Sequence, residues 1–170
     1  MSFYASMPKK LGSSILPTNV FKVSYGQLYN HYENSHFSKM NIHVWYLGKP
    51  CIVMTWVGSD PSLGSVMLNS HIDVVPVFPD QWDHPPFSAH KTEDGWIYGR
   101  GTQDMKCVGI WYMEAIRNLK KQGFQPKRTI HVMWVPDEEI GGHDGMEKLI
   151  ETEFFKGKLF QKIVLYEILF

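Results

Sequence analysis

Residues 129–135 read Thr-Ile-His-Val-Met-Trp-Val, and the chain then breaks at once into Pro136-Asp137-Glu138-Glu139. A strand this apolar on both alternating faces has to be covered on both, which places it inside a sheet with helices packed against it. The neighbouring segments agree with that reading. Ile42 to Leu47, Cys51 to Val57 and Ser65 to Asn69 are short apolar, β-branched or aromatic runs separated by Gly-Lys-Pro and Gly-Ser-Asp-Pro turns, and they read as three strands. Between Met105 and Gln122, Val108, Trp111, Met113, Ala115, Ile116 and Leu119 recur at helical spacing, and Lys120, Lys121 and Gly123 supply the charge and cap of a helix C-terminus.

The remaining elements are shorter. Trp96-Ile97-Tyr98 predicts a short strand, Gly145 to Ile150 a short helix, and Lys162 to Phe170 a last strand-like run. Val75 to Lys91 is a long loop rich in proline and aromatic residues, a length that inside a compact domain marks function or disorder. Residues 1–40 carry only weak periodicity, with a short helix expected near Tyr25 to Tyr32. The expected fold class is α/β, with a central mixed, mostly parallel sheet covered by helices across residues 41–170 and a separate poorly patterned segment over 1–40. Such a sheet sets the ends of strands 65–69 and 129–135 side by side, so that the polar residues following each face one crevice.

Composition removes several classes of partner. Seventeen basic residues balance seventeen acidic ones, and no basic block stands out, so neither nucleic acid nor an anionic membrane surface is expected as a partner. No apolar run reaches bilayer-spanning length, and the opening Met1-Ser2-Phe3-Tyr4 lacks the pattern of a secretory signal. The balanced charge leaves a small-molecule partner expected, and Cys51 and Cys107 form no disulfide framework and no metal-binding spacing, which suits a reducing, cytoplasmic setting.

Three polar clusters follow directly on a strand or a glycine turn: His71-Ile72-Asp73, Gln103-Asp104-Met105-Lys106 and Asp137-Glu138-Glu139. Together they offer imidazole and carboxylate, the ligand set that suits Zn²⁺ where no thiolate takes part, and also cobalt or manganese. Taken singly, each has a plainer reading. His71 and Asp73 fit a loop histidine beside a turn aspartate, Asp104 fits a helix N-cap, and the acidic triplet fits a solvated turn. With a metal present, His71 and Asp73 point the same way from extended backbone, so that one meets the ion while the other orients it. In the triplet, one carboxylate binds while its neighbour takes a proton from water. His131, inside a strand, and His143 read as structural or surface residues.

The wording and order of these clusters resemble one family. Leu68-Asn69-Ser70-His71-Ile72-Asp73-Val74-Val75-Pro76-Val77-Phe78, then Trp82 and Pro86-Phe87, then Tyr98-Gly99-Arg100-Gly101-Thr102-Gln103-Asp104-Met105-Lys106-Cys107, then Val135-Pro136-Asp137-Glu138-Glu139-Ile140-Gly141-Gly142-His143 look like the zinc metallopeptidase family of N-acyl-amino-acid amidohydrolases, deacetylases and dipeptidases, in its aminoacylase-1 branch. The resemblance covers about residues 51–157. It implies the N-terminal part of a zinc exopeptidase catalytic domain, hydrolysing an N-acyl-L-amino acid to a carboxylate and a free amino acid. It further implies that His71 binds one Zn²⁺, Asp104 bridges two, Glu139 binds the second, Glu138 is the general base and Asp73 supports His71.

The departures carry expectations too. Where the family has Asp-Glu-Gly after the last strand, this chain has Leu165-Tyr166-Glu167-Ile168, so Glu167 is the residue that matches the family's glutamate ligand. Two zincs with three protein ligands each and one shared bridge need five ligand residues, whereas His71, Asp104, Glu139 and Glu167 make four. The family's distant histidine ligand and lid domain have no counterpart in the sequence. A C-terminally truncated form is therefore expected, one whose open sheet edge invites homo-oligomers. The alternatives that this leaves are a related metallopeptidase or deacylase with another substrate, and a catalytically silent metal-binding fragment.

Overall fold

In the computed structural model, residues 40–46, 49–159 and 163–165 are described, and all lie in a unit spanning Lys39–Phe170. The helix expected near Tyr25 to Tyr32, the segment 1–40 up to Lys39, and Glu167 lie outside the described residues. A five-stranded sheet is formed by β1 (Asn41–Tyr46), β2 (Pro50–Trp56), β3 (Ser65–His71), β6 (Ile130–Val135) and β7 (Ile163–Leu165), in the spatial order β1-β2-β6-β3-β7. A two-stranded ribbon pairs β4 (His90–Lys91) with β5 (Ile97–Tyr98). The sheet is mixed, as expected, with its pairings divided evenly: β1–β2 and β2–β6 are antiparallel, whereas β6–β3 and β3–β7 are parallel. The share of antiparallel pairing exceeds the expected minority because β2 runs antiparallel to both of its neighbours, β1 and β6.

Both faces of β6 are covered, as its composition requires. On one face, Cys51, Val53, Met67, Met133 and Val135 form a core with Leu149 of helix α2 (Met146–Ile150) and with Phe155, and Trp45, Met146 and Phe154 pack against it. Burying each of the larger of these side chains contributes about 1.5–3 kcal/mol. On the other face lies helix α1 (Cys107–Lys121), with Val108 and Ile116 buried. Its Gly109 sits so close to the sheet that a Cβ there would lie 2.6 Å from Trp134 Nε1 and 3.0 Å from Ser70 Oγ, so only glycine lets the helix settle at this distance. Near the helix C-terminus Lys120 Nζ stands 5.2 Å from the Trp56 ring centroid, and Phe124 meets the same ring edge-on.

Two differences from the expected boundaries shape the site. Strand β3 runs two residues past Asn69 because β6 stays beside it: Ser70 pairs with Trp134 and His71 with Val135 in parallel register, and Ile72 N–H donates to the Val135 carbonyl at 2.9 Å. Helix α1 starts at Cys107 rather than Met105, because Asp104 (φ −110°, ψ 101°) and Met105 are not helical. Asp104 is therefore not the helix N-cap; Lys106 holds that place.

His131 is the core histidine that the strand position suggested. It is buried, its cross-strand partner Thr55 places Oγ1 2.9 Å from Nδ1, and Phe154 meets the ring edge-on. Burial, seconded by His43, lowers its pKa from 6.5 to about 4. The unfolded chain thus takes up this proton before the folded one does as pH falls. Stability is expected to decline between pH 6.5 and about 4 and to level off below that range, with a slope of at most ~1.4 kcal/mol per pH unit. Urea midpoints at about pH 7 and about pH 5 should show this slope in the wild type and a flatter one in His131→Gln; equal slopes would remove His131 as the source.

Candidate metal centre

The parallel register of β3 on β6 brings two polar exits to one edge of the sheet: His71-Ile72-Asp73 from β3 and Asp137-Glu138-Glu139 from β6. A third loop, Thr102–Lys106, is drawn in by Lys106, whose Nζ donates to the Ile72 carbonyl at 2.5 Å, and by Ser70 Oγ, which lies 3.4 Å from the Met105 carbonyl. Gly101 opens this loop at φ +81°, and a Cβ there would stand 2.6 Å from Val74 Cγ1, so both conformation and crowding call for glycine. Burial lowers the Lys106 pKa, and the Asp73 charge opposes that shift.

His71 is 3% exposed. Its Nδ1 lies 3.0 Å from the Asp73 carbonyl, an acceptor, so Nδ1–H donates there and Nε2 faces outward. Facing Nε2 are Asp104 Oδ1 at 3.0 Å and Glu138 Oε2 at 3.6 Å. Ligand atoms of His71, Asp104 and Glu139 all lie within 4.8 Å of one another. The two carboxylates repel one another at this spacing, and a cation among the three groups would reverse the sign. The donor set of one imidazole and carboxylates, with no thiolate, fits Zn²⁺.

Asp73 acts in a way its spacing from His71 does not reveal. Its carboxylate lies 3.5 Å from His71 Nδ1, farther than its own carbonyl, and is committed instead to the opposite loop: Oδ1 accepts Glu138 N–H and Oδ2 accepts Glu139 N–H, each at 3.1 Å. One residue therefore fixes the histidine through its backbone carbonyl and the acidic turn through its carboxylate.

The acidic triplet divides into separate tasks. Asp137 is buried at φ +71° and forms an ion pair and hydrogen bond with Lys49, while Asp144 N–H donates to its Oδ2 at 2.9 Å. The Lys49 hydrogen bond, helped by the Asp144 N–H, holds the Asp137 carboxyl below its ordinary pKa, and the same contact raises that of Lys49. Lys49 escaped the sequence reading because it lies 88 positions away, in the turn entering β2. Only the antiparallel pairing of β2 with β6 brings that entry beside the exit of β6. Glu138, with its side chain 54% exposed, and the half-buried Glu139 are thereby turned towards His71. His143 lies on the surface, paired with Glu147 at 2.5 Å, a contact that raises its pKa.

Beside the cluster lies an open cleft of about 460 Å³ lined by Trp82, Ile97, Tyr98, Arg100, Thr102 and Asp104, so Asp104 belongs to cluster and cleft alike. Fold and site together define an α/β domain whose polar loops gather around a candidate metal cluster at the carboxyl ends of parallel strands. Among solved structures, the M20 family metallo-carboxypeptidase Sso-CP2 of Sulfolobus solfataricus matches 85% of this chain with 32% of its own, at a TM-score of 0.61 and 23% identity. Human carnosine dipeptidase 1 matches 92% of this chain with 36% of its own, at a TM-score of 0.58 and 22% identity.

The sequence narrows the class. Residues 67–168 match the model of peptidase family M20/M25/M40, and the chain belongs to that family. Aminoacylase-1 of Sus scrofa is 55% identical over 109 residues, which are 64% of this chain and 27% of the relative; aminoacylase-1 of Homo sapiens is 56% identical over 103 residues, 61% of this chain and 25% of the relative. The chain thus spans about a quarter of the length of the curated relatives it matches. Family membership implies a divalent metal, and the His71, Asp104 and Glu139 cluster is where this chain would hold one.

If the Lys49–Asp137 pair sets the acidic turn, then Lys49→Met should weaken Zn²⁺ binding about tenfold, the scale of losing an outer contact behind a ligand, while Lys49→Arg retains it. Competition against a chelating dye measures this; equal affinities for the three proteins would mean that the turn holds its shape without Lys49.

Proposed function

We propose that the chain carries the zinc half-site of an aminoacylase-type enzyme, which hydrolyses N-acyl-L-amino acids to a carboxylate and a free L-amino acid. The observation that carries this reading is the convergence of Asp104, Glu138 and Glu139 on the outward Nε2 edge of His71, held by Asp73 from both sides. More than half-identity to proteins named aminoacylase-1 supports the substrate class.

In this reading His71 would hold one Zn²⁺ and Glu139 a second, Asp104 would serve both, and Glu167 would be a further ligand. Zinc, when bound, supplies Lewis acidity and lowers the pKa of water towards neutrality. Glu138 is the general base. Its exposed carboxylate takes a proton from the water that adds to the acyl carbonyl carbon, then returns that proton to the amine nitrogen as the C–N bond breaks. Asp73 keeps Glu138 and Glu139 in register by binding their two backbone N–H groups. The partner is a small N-acyl amino acid. Two free thiols suit the cytoplasm, and β7, which ends the sheet among the described residues, offers an edge for homo-oligomers.

Metal analysis of the dialysed chain, together with hydrolysis of N-acetyl-L-methionine, tests the reading. Bound zinc and turnover are expected, and Glu138→Gln should cut turnover by about 10²–10⁴-fold while leaving the zinc content unchanged. A chain that binds no zinc and shows no turnover would instead be a catalytically silent member of its family.

A further inference from the structure

Deepening that reading, and resting on it, we propose that Lys106 is a positioning residue of the metal centre: its Nζ, tied to the Ile72 carbonyl, holds the loop 101–106 against the exit of β3 and so keeps Asp104 in front of His71 Nε2. Asp104 needs such a hold. Its side chain is 74% exposed, and its backbone (φ −110°, ψ 101°) continues neither a strand nor helix α1. Its carboxylate lies against His71 Nε2 at 3.0 Å. A metal ion shared by the two side chains would replace that contact, so the contact cannot be what keeps Asp104 in place around an ion.

Three contacts of the half-buried Lys106 meet the need. Its backbone N–H closes the loop on the Gly101 carbonyl at 3.0 Å. Its stem lies over Gly101, where a Cβ would stand 3.4 Å from Cε and 3.5 Å from Cδ. Its Nζ then crosses to Ile72, the residue between His71 and Asp73, and donates to the carbonyl at 2.5 Å. A second link, from Ser70 Oγ to the Met105 carbonyl, is longer at 3.4 Å, and the same hydroxyl lies 3.3 Å from the His71 carbonyl, so its one proton serves two acceptors. Lys106 therefore supplies the short link between the strand that carries His71 and the loop that carries Asp104.

The sign of the effect separates a tether from a mere charge. Lys106 and Asp73 attract one another, which makes Lys106 a positive group beside a cation site, and by charge alone its removal would strengthen metal binding. As a tether, its removal weakens metal binding, because Asp104 loses its place. A residue that only supports the fold would shift stability and leave the affinity unchanged.

The experiment compares the wild type with Lys106→Met, which keeps the stem and loses the donor, and Lys106→Arg, which keeps a donor of similar reach. Co²⁺ is added stepwise to each dialysed chain, its visible absorption recording affinity and coordination geometry together, and amide hydrogen exchange is followed without metal. Lys106→Met should bind Co²⁺ about tenfold more weakly with an altered spectrum, and Lys106→Arg within about threefold of the wild type. Exchange protection at position 106 should fall in Lys106→Met while that of β6 stays. Affinity of Lys106→Met equal to or above the wild type, or Lys106→Arg no better than Lys106→Met, overturns the assignment. Should Lys106→Met fail to fold, the wild type decides: a position 106 amide that exchanges as fast as in an unfolded chain overturns it, and a protected one supports it. A wild type that takes up no Co²⁺ removes the hydrolase reading, and the exchange pattern then decides whether Lys106 holds the loop; metal binding and turnover indifferent to Lys106 keep the enzyme and remove the tether.

Discussion

The parallel pairing of β3 with β6 is the constraint on which the site depends. Because His71 stands opposite Val135, the two strands end level, and everything polar that follows either of them emerges at the same edge. A slip of one residue would send His71 to the opposite face of the sheet and take it out of reach of Asp104 and Glu138. The register is protected by burial on both sides: Met133 and Val135 face the α2 core, while Val132 and Trp134 face α1, so no alternative pairing keeps both faces filled.

Asp73 turns that alignment into a rigid constellation. Its carbonyl receives the His71 Nδ1–H, and its two carboxylate oxygens each receive a backbone N–H from the acidic turn. Three charged or hydrogen-bonding side chains that would otherwise drift apart are tied through one residue. Asp137, held by Lys49 and the Asp144 N–H, anchors the other end of the same turn. The chemistry available to Glu138 follows from this division of labour: with its neighbour Asp137 neutralised in a buried pair and its backbone clamped, Glu138 is left exposed with its carboxylate facing His71 Nε2.

Much of this was legible in the residues. The two-sided apolar run at 130–135, the helical spacing from Val108 to Leu119 and the Gly-punctuated turns gave the strands and the main helix, because burial and periodicity are local properties of the chain. The family wording named His71, Asp104, Glu138 and Glu139, and the structure gathers them. The role of Asp73 was only half legible, since spacing pairs it with His71 while its carboxylate spends both oxygens on a loop 65 positions away. The even split of strand directions and the non-helical turn at Asp104 were hidden as well, being set by the pairing of β2 with both β1 and β6 and by the contacts of Lys106 and Gly101.

What the sequence determined by itself was the inventory: an α/β chain of strand-forming and helix-forming stretches, three polar clusters placed where strands stop, and a ligand set of imidazole and carboxylate. What only the tertiary structure decided was how those groups divide the work. Lys49 reaches Asp137, Asp73 reaches Glu138 and Glu139, and Lys106 reaches the Ile72 carbonyl. The Lys49 and Asp73 contacts join residues remote in sequence, and all three are fixed by how strands and loops pack, which hydrophobic periodicity along the chain does not encode.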